Sequence, residues 1–333
     1  MQTMSEVYFH INSEYNKLQN EHKQSIENSK QFLYEKFPRI EEIDNEISML
    51  AINSARRVIE ENLSPQEATL AMKKRAEILN QEKENILKDN DYSEFSPRYN
   101  CVLCKDTGFR ENGKKCRCYM EKLSNLVSFP GDSSNGDKEF FKSAVFDNFK
   151  LSYYSNEVDV VCGSSPRKIM KMNLAKCVKF ANEFSGINSG NILLYGPSGL
   201  GKSFMAGCIY NRVTDNGYFA IYKSSYKLFQ FLEDYKFGRI DRDKYNLANN
   251  SVYDCDLLII DDFGTEFITS YTQSVFFDLL NTRLMNGKST IISTNLNSDE
   301  LKKIYQERVC SRLENEFVNL LFCGSDIRSL KNN

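Results

Sequence analysis

Apolar positions in the first 92 residues recur at helical steps, whereas those beyond about residue 190 come in short solid runs. Ile40, Ile43, Ile47, Leu50, Ala51, Ala55, Val58 and Ile59 fall three or four apart, one stripe on a helix that begins after Pro38. Asn62-Leu63 ends that helix. Ser64-Pro65-Gln66-Glu67 starts the next, with Ser64 as N-cap, Pro65 at the first helical position and Glu67 placed to close a capping box. Residues 5–36 are polar with aromatics spaced along them (Tyr8, Phe9, Tyr15, Phe32, Tyr34), and no glycine interrupts positions 1–92. Three amphipathic helices are expected. Their periodicity suits a self-contained bundle and a docking surface for a partner's helices equally well.

Five apolar runs, at 191–195, 218–223, 256–261, 289–294 and 317–322, alternate with helical segments. That alternation predicts an α/β domain, a five-stranded parallel sheet covered by helices on both faces, with its ligand at the C-terminal strand edge. A basic amphipathic segment at 167–184 leads into the first run. Residues 129–138 (FPGDSSNGDK) are rich in Gly, Ser and Asp and read as a linker. The expected organisation is a helical domain at 1–95, a cysteine module at 96–125, a linker at 126–150 and the α/β domain at 151–333.

The first run opens onto Gly196-Pro197-Ser198-Gly199-Leu200-Gly201-Lys202-Ser203, which matches G-x-x-x-x-G-K-[ST] at every fixed position. Glycines there let successive backbone N–H groups face phosphate oxygens, and the following helix adds its positive N-terminus. Lys202 would reach the β- and γ-phosphates of ATP, and the Ser203 hydroxyl would ligate Mg²⁺. The third run ends in Asp261-Asp262, a Walker B strand: Asp261 would sit beside the Mg²⁺ shell and Asp262 would polarise the attacking water. The fourth ends in Ser293-Thr294-Asn295, a polar strand tip suited to the γ-phosphate or the water. Arg308 and Arg312 lie four apart on one helical face. No arginine is close in sequence to the P-loop, so an arginine supplied by a neighbouring subunit is the expected charge stabiliser.

Composition adds constraints. The chain has 333 residues, 41% hydrophobic and 26% charged, with net charge −2, so nucleic-acid contact would need local basic patches. The N-terminus lacks the apolar core of a signal peptide and no stretch reaches the ~18 apolar residues of a membrane span, which predicts a cytoplasmic protein with no membrane association. Of ten cysteines, Cys101, Cys104, Cys116 and Cys118 form a C-x-x-C…C-x-C set, the spacing of a structural Zn²⁺ site. Lys105, Arg110, Lys114, Lys115, Arg117 and Lys122 surround it, a solvated basic face or a nucleic-acid contact. Tyr226, Phe229, Lys236, Arg239, Arg242 and Lys244 mix aromatics with cations in a way that suits single-stranded DNA.

Together GPSGLGKS (196–203), LLIIDDFGTE (257–266), STN (293–295), ERVCSRL (307–313), FCGSDIR (322–328) and CVLCKDTG…CRC resemble the AAA+ ATPases, and more closely the DnaC/DnaI type of bacterial replicative helicase loader. The resemblance implies an N-terminal domain that grips a hexameric DnaB-type helicase and an AAA+ domain that binds ATP and single-stranded DNA as a nucleotide-dependent homo-oligomer. It assigns Asn295 as sensor 1, Arg312 as arginine finger, Arg308 as its helper and Arg328 as a sensor-2-like contact. Asp262 stands where many AAA+ proteins have glutamate, which implies slow, switch-like hydrolysis. The five residues after Arg328 leave no room for the usual helical lid. Two other readings share the core: a transposition helper ATPase of the IstB type, against which the helical and cysteine-bearing N-terminal region speaks, and a metal-stabilised adaptor that binds nucleotide without hydrolysing it.

Overall fold

The computed structural model describes residues 3–60, 64–93, 96–130, 135–160 and 162–328. The chain divides into two compact units, one formed by residues 14–107 and the other by 1–13 with 108–333. Among the described residues no helix is long and apolar enough to cross a membrane.

The 14–107 unit is built from helices α1 (Met4–Lys36, from residue 14 on), α2 (Pro38–Glu60) and α3 (Pro65–Asp89). Both halves of the expected capping box form: Ser64 Oγ accepts from the Glu67 N–H and the Glu67 carboxylate accepts from the Ser64 N–H. The expected break at Asn62-Leu63 lies outside the described residues. Leu33, Ile40 and Leu87 are buried with Phe37, Ile86 and Tyr92 packed around them. Arg39 bridges to Glu82 at 2.7 and 3.3 Å, and Asp44 accepts from Lys83 and Tyr34 at 2.8 Å each. The α2 stripe is only partly used: Ile40 and Ile43 are fully buried, but Ile47, Leu50 and Val58 are half-buried and Ala51 and Ala55 exposed. A 23-residue helix with one close neighbour cannot cover its whole apolar face.

The other unit contains α4 (Arg117–Leu126), α5 (Asn135–Ser143), α6 (Pro166–Glu183), β1 (Ile192–Tyr195), α7 (Lys202–Asp215), β2 (Ala220–Ser224), α8 (Ser225–Lys236), α9 (Arg242–Asp254), β3 (Leu257–Phe263), α10 (Ser270–Met285), β4 (Ser289–Thr294), α11 (Ser298–Ile304), α12 (Glu307–Asn315) and β5 (Val318–Leu321). The strands pair in parallel in the order β2-β3-β4-β1-β5. All five runs expected from sequence are in this sheet. The stretch expected as a linker differs. Residues 131–134 lie outside the described residues, but α5 follows, with Phe140 and Ala144 packed on α7 and Asn211 Nδ2 donating to the carbonyls of Phe141 (2.6 Å) and Ala144 (2.8 Å). Its aromatic pair seats it on the core, which the Gly/Ser-rich residues before it conceal.

One buried cation secures the sheet's far side. Arg283, 0% exposed, donates to the carbonyls of Val252, Tyr253 and Ser289, to Thr290 Oγ1 and to Cys255 Sγ. None of these partners is a carboxylate. The Val252 and Tyr253 carbonyls belong to the last turn of α9, so the guanidinium sits where that helix presents its negative end.

Candidate nucleotide-binding site

The strand tips of β1, β3 and β4 converge because these strands are neighbours in one parallel sheet. Between them and residues 140–154 lies a cavity of about 550 Å³. Its lining includes Ser198, Gly199, Gly201, Lys202, Ser203, Asp262, Asn295 and Arg328, with Phe149, Tyr153 and Tyr154 supplying an aromatic wall. The P-loop depends on its glycines. Gly196 has φ 134°, and a Cβ there would collide with the carbonyl oxygen of Phe322; Gly199, φ 80°, lies against the Asp326 carboxylate.

Lys202 is 4% exposed and its Nζ donates to the carbonyls of Gly196 (2.6 Å) and Pro197 (2.7 Å) and to Asn295 Oδ1 (2.7 Å). Burial among neutral acceptors pushes its pKa down to about 8, against the opposing pull of Asp262 and Asp261. The expected sensor asparagine and the Walker lysine are thus directly bonded. Asp261 is almost buried: one oxygen accepts from Ser293 Oγ and the other from the Tyr222 hydroxyl at 2.6 Å. The same hydroxyl lies 3.4 Å from the Ser203 carbonyl, so one phenol stands between both residues expected to hold Mg²⁺. Burial first, and Asp261 second, hold that phenol's pKa far above its ordinary value, so it stays a donor. A hydroxyl, a hydrogen-bonded carboxylate and phosphate oxygens are the hard donors Mg²⁺ requires, and the fixed orientation of Asp261 fits that role.

Asp262, the penultimate residue of β3, has a left-handed conformation, φ 54°, with its N–H donated to Ser293 Oγ at 3.0 Å. β3 and β4 shift register between Ile260 and Phe263, which turns successive aspartates in different directions. Burial and the neighbouring Asp261 charge raise the Asp262 pKa, the direction a proton acceptor near neutral pH requires. Tyr222 and Ser293 were not assigned these roles from sequence. The signal was the register of β2 against β3, which pairs Tyr222 with Ile259, and a periodicity argument does not supply it.

The cysteine stretch is compact. The four sulfurs of Cys101, Cys104, Cys116 and Cys118 lie within 4.8 Å of one another. A tetrahedral site with Zn–S of about 2.3 Å needs sulfurs about 3.8 Å apart, within the span of this cluster. Asp106, 1% exposed, accepts the N–H groups of Asn100 (2.8 Å) and Cys101 (2.7 Å) and so fixes the first half of the knuckle.

A family model described as "IstB-like ATP binding protein" matches residues 163–313. A 140-residue stretch is 26% identical to the replicative helicase loader DnaC of Escherichia coli (strain K12), covering 42% of this chain and 56% of that protein. The chain carries an IstB/DnaC-like ATPase domain. The DnaC of Buchnera aphidicola (subsp. Acyrthosiphon pisum) is 24% identical over 54% of this chain and 66% of its own length. The chromosomal replication initiator protein DnaA of Spiroplasma citri is 27% identical over 50% and 36% respectively. The chain therefore spans between about a third and two thirds of these relatives. A crystal structure of the DnaC helicase loader overlaps 56% of the chain and 99% of its own, at 19% identity and a TM-score of 0.44.

Not every expected residue reaches the cavity. Arg328 does: its Nη2 donates to Ser198 Oγ at 3.0 Å, and the Ile327 N–H donates to the Gly199 carbonyl at 3.1 Å. Arg308 and Arg312 do not line it. Both guanidinium groups stack on the Phe277 ring of α10, at 4.4 and 4.9 Å from its centroid, and Arg312 Nε is buried without a hydrogen-bond partner. The aromatic and basic set at 226–244 is also divided. Phe229 is core, 3% exposed, whereas Tyr226 is exposed beside exposed Phe267. Arg239 is paired with Glu233 and Asp234, and Arg242 caps the carbonyls of Tyr235 and Lys236. Helical spacing puts residues 226 and 229 one turn apart, but only packing decides which is covered.

Proposed function

We propose that the protein is an ATP-controlled loader that places a hexameric DnaB-type replicative helicase on single-stranded DNA. The observation that carries this reading is the convergence of Lys202, Asp262, Asn295 and Arg328 on one cavity, in a domain whose curated relatives include the DnaC loaders. In this reading ATP sits with its phosphates in the 196–203 loop. Ser203 and Asp261 would hold Mg²⁺, which would supply positive charge to neutralise the phosphates. Asp262 orients and deprotonates water, Lys202 exchanges its loop carbonyls for phosphate oxygens, and Asn295 is released to meet the γ-phosphate. Asp262 has a shorter reach than glutamate, which suits a slow switch. Arg312, carried with Arg308 on Phe277, serves a neighbouring subunit's nucleotide in a homo-oligomer. The N-terminal helices grip the helicase, and the cysteine knuckle holds Zn²⁺ as a structural ion.

The test is native mass measurement of the full chain mixed with candidate hexameric helicases, with and without ATP, beside a Lys202→Ala variant. A helicase complex whose stoichiometry changes with ATP in the wild type alone is expected. A second reading, an IstB-type transposition helper, is favoured by the family model's own description. Binding to a transposase with no helicase complex under any nucleotide condition would replace the first reading with the second.

A further inference from the structure

The loop leaving β3 holds a buried carboxylate that the nucleotide chemistry above does not use. Glu266 is 6% exposed. One of its oxygens accepts the Gly264 N–H at 2.8 Å and the Ser225 hydroxyl, and the other accepts the Tyr305 hydroxyl. None of these partners is a cation. A carboxylate is tolerated in such a place only where donors saturate it, and here the donors face both oxygens. A glutamine of the same size could keep its oxygen for Gly264 and Ser225, but its N–H₂ group would face the Tyr305 hydroxyl, which would have to turn from donor to acceptor.

The three donors come from three different segments. Gly264, φ 100°, lies two residues after Asp262 in the turn that gives that aspartate its left-handed backbone. Ser225 is the first residue of α8, immediately after the strand that carries Tyr222. Tyr305 follows α11 and stands two residues before α12, the helix of Arg308 and Arg312; its ring stacks on Phe263 at 4.5 Å and 17°. One side chain therefore joins the turn of the proposed base, the start of α8 and the approach to the arginine helix.

We infer that Glu266 is a positioning residue: it fixes the turn that aims Asp262 at the nucleotide and couples that turn to the helix bearing Arg308 and Arg312. The inference rests on the ATPase reading for its kinetic consequence, but the junction itself can be tested without turnover. In the full-length Glu266→Gln variant, kcat for ATP hydrolysis should fall by about tenfold or more while KM stays within about threefold, because positioning rather than ground-state binding is lost. Hydrogen exchange of the nucleotide-free protein should show amides of the 262–266 turn, the start of α8 and the start of α12 all accelerating together, with β1, β3 and β4 unchanged. If Glu266→Gln does not fold, Tyr305→Phe keeps the carboxylate and the stacked ring, and the turn and α12 should still accelerate together. Wild-type kcat in a folded Glu266→Gln protein, or acceleration confined to the 262–266 turn in the variant that folds, overturns the inference. Equal, negligible turnover in wild type and Lys202→Ala would instead overturn the ATPase reading, and the exchange data would still judge the junction.

Discussion

Raising the pH past about 8 should weaken nucleotide binding by removing the P-loop's own cation. Burial lowers the Lys202 pKa from its ordinary 10.5 to about 8, and its three bonded acceptors are all neutral. A triphosphate supplies the missing negative charge, so binding should return the pKa towards 10.5 and take up a proton. With a pKa of about 8 in the unliganded protein, uptake is about 0.1 proton per nucleotide at pH 7, about half at pH 8 and about 0.9 at pH 9. Affinity should then fall about fivefold between pH 8 and pH 9, the equivalent of about 1 kcal/mol. Stability of the nucleotide-free protein moves the opposite way. The unfolded lysine keeps its proton to about pH 10.4 while the folded one releases it near 8, so folding gains as pH rises through that window. The assay is titration calorimetry at pH 8 and 9 in buffers of differing ionisation enthalpy. Lys202→Arg, which cannot deprotonate, should abolish the uptake. Binding heats at pH 8 that do not depend on the buffer would refute the reasoning.

Tyr222→Phe removes the donor to one oxygen of Asp261 and should lower stability by about 1.5–3 kcal/mol, the worth of a hydrogen bond to a charged group. Because Mg²⁺ beside Asp261 would replace that donor, thermal melts should show the deficit shrinking when magnesium and ATP are added. Arg283→Met leaves three carbonyls and a hydroxyl without their donor inside the sheet, and should cost about 3–5 kcal/mol in denaturant unfolding. Metal analysis should return one zinc per chain, and Cys104→Ser should lose it and increase proteolysis within residues 96–125. A wild-type protein without zinc removes the metal from the account.

The sheet was legible because β1, β3 and β4 are buried on both faces and read as solid apolar runs, each leading into residues whose chemistry suits a nucleotide edge. Lys202, Asp262 and Asn295 could be named from the chain because a parallel sheet places every strand's C-terminus on one edge. Tyr222, Ser293 and Glu266 could not, since each acts by reaching across to another strand or helix, and cross-element pairing depends on register. Residues 135–144 misled for a different reason: composition averaged over the stretch conceals one helix face with Phe140 and Ala144. Arg308 and Arg312 were recognisable as a pair, but their common platform, Phe277, sits thirty-one residues before Arg308 and no local pattern links them.

The junction of the P-loop with residues 322–328 has a bearing on biosynthesis. Gly196 closes beneath the Phe322 carbonyl, Gly199 is joined to Ile327, and Ser198 to Arg328, so more than a hundred residues of intervening chain must be made before the phosphate cradle has its outer wall. A ribosome-bound intermediate halted before residue 318 would therefore display the whole Walker A sequence yet lack β5 and everything that braces the loop from that side. On the ATPase reading, nucleotide capture should therefore wait until translation has passed β5.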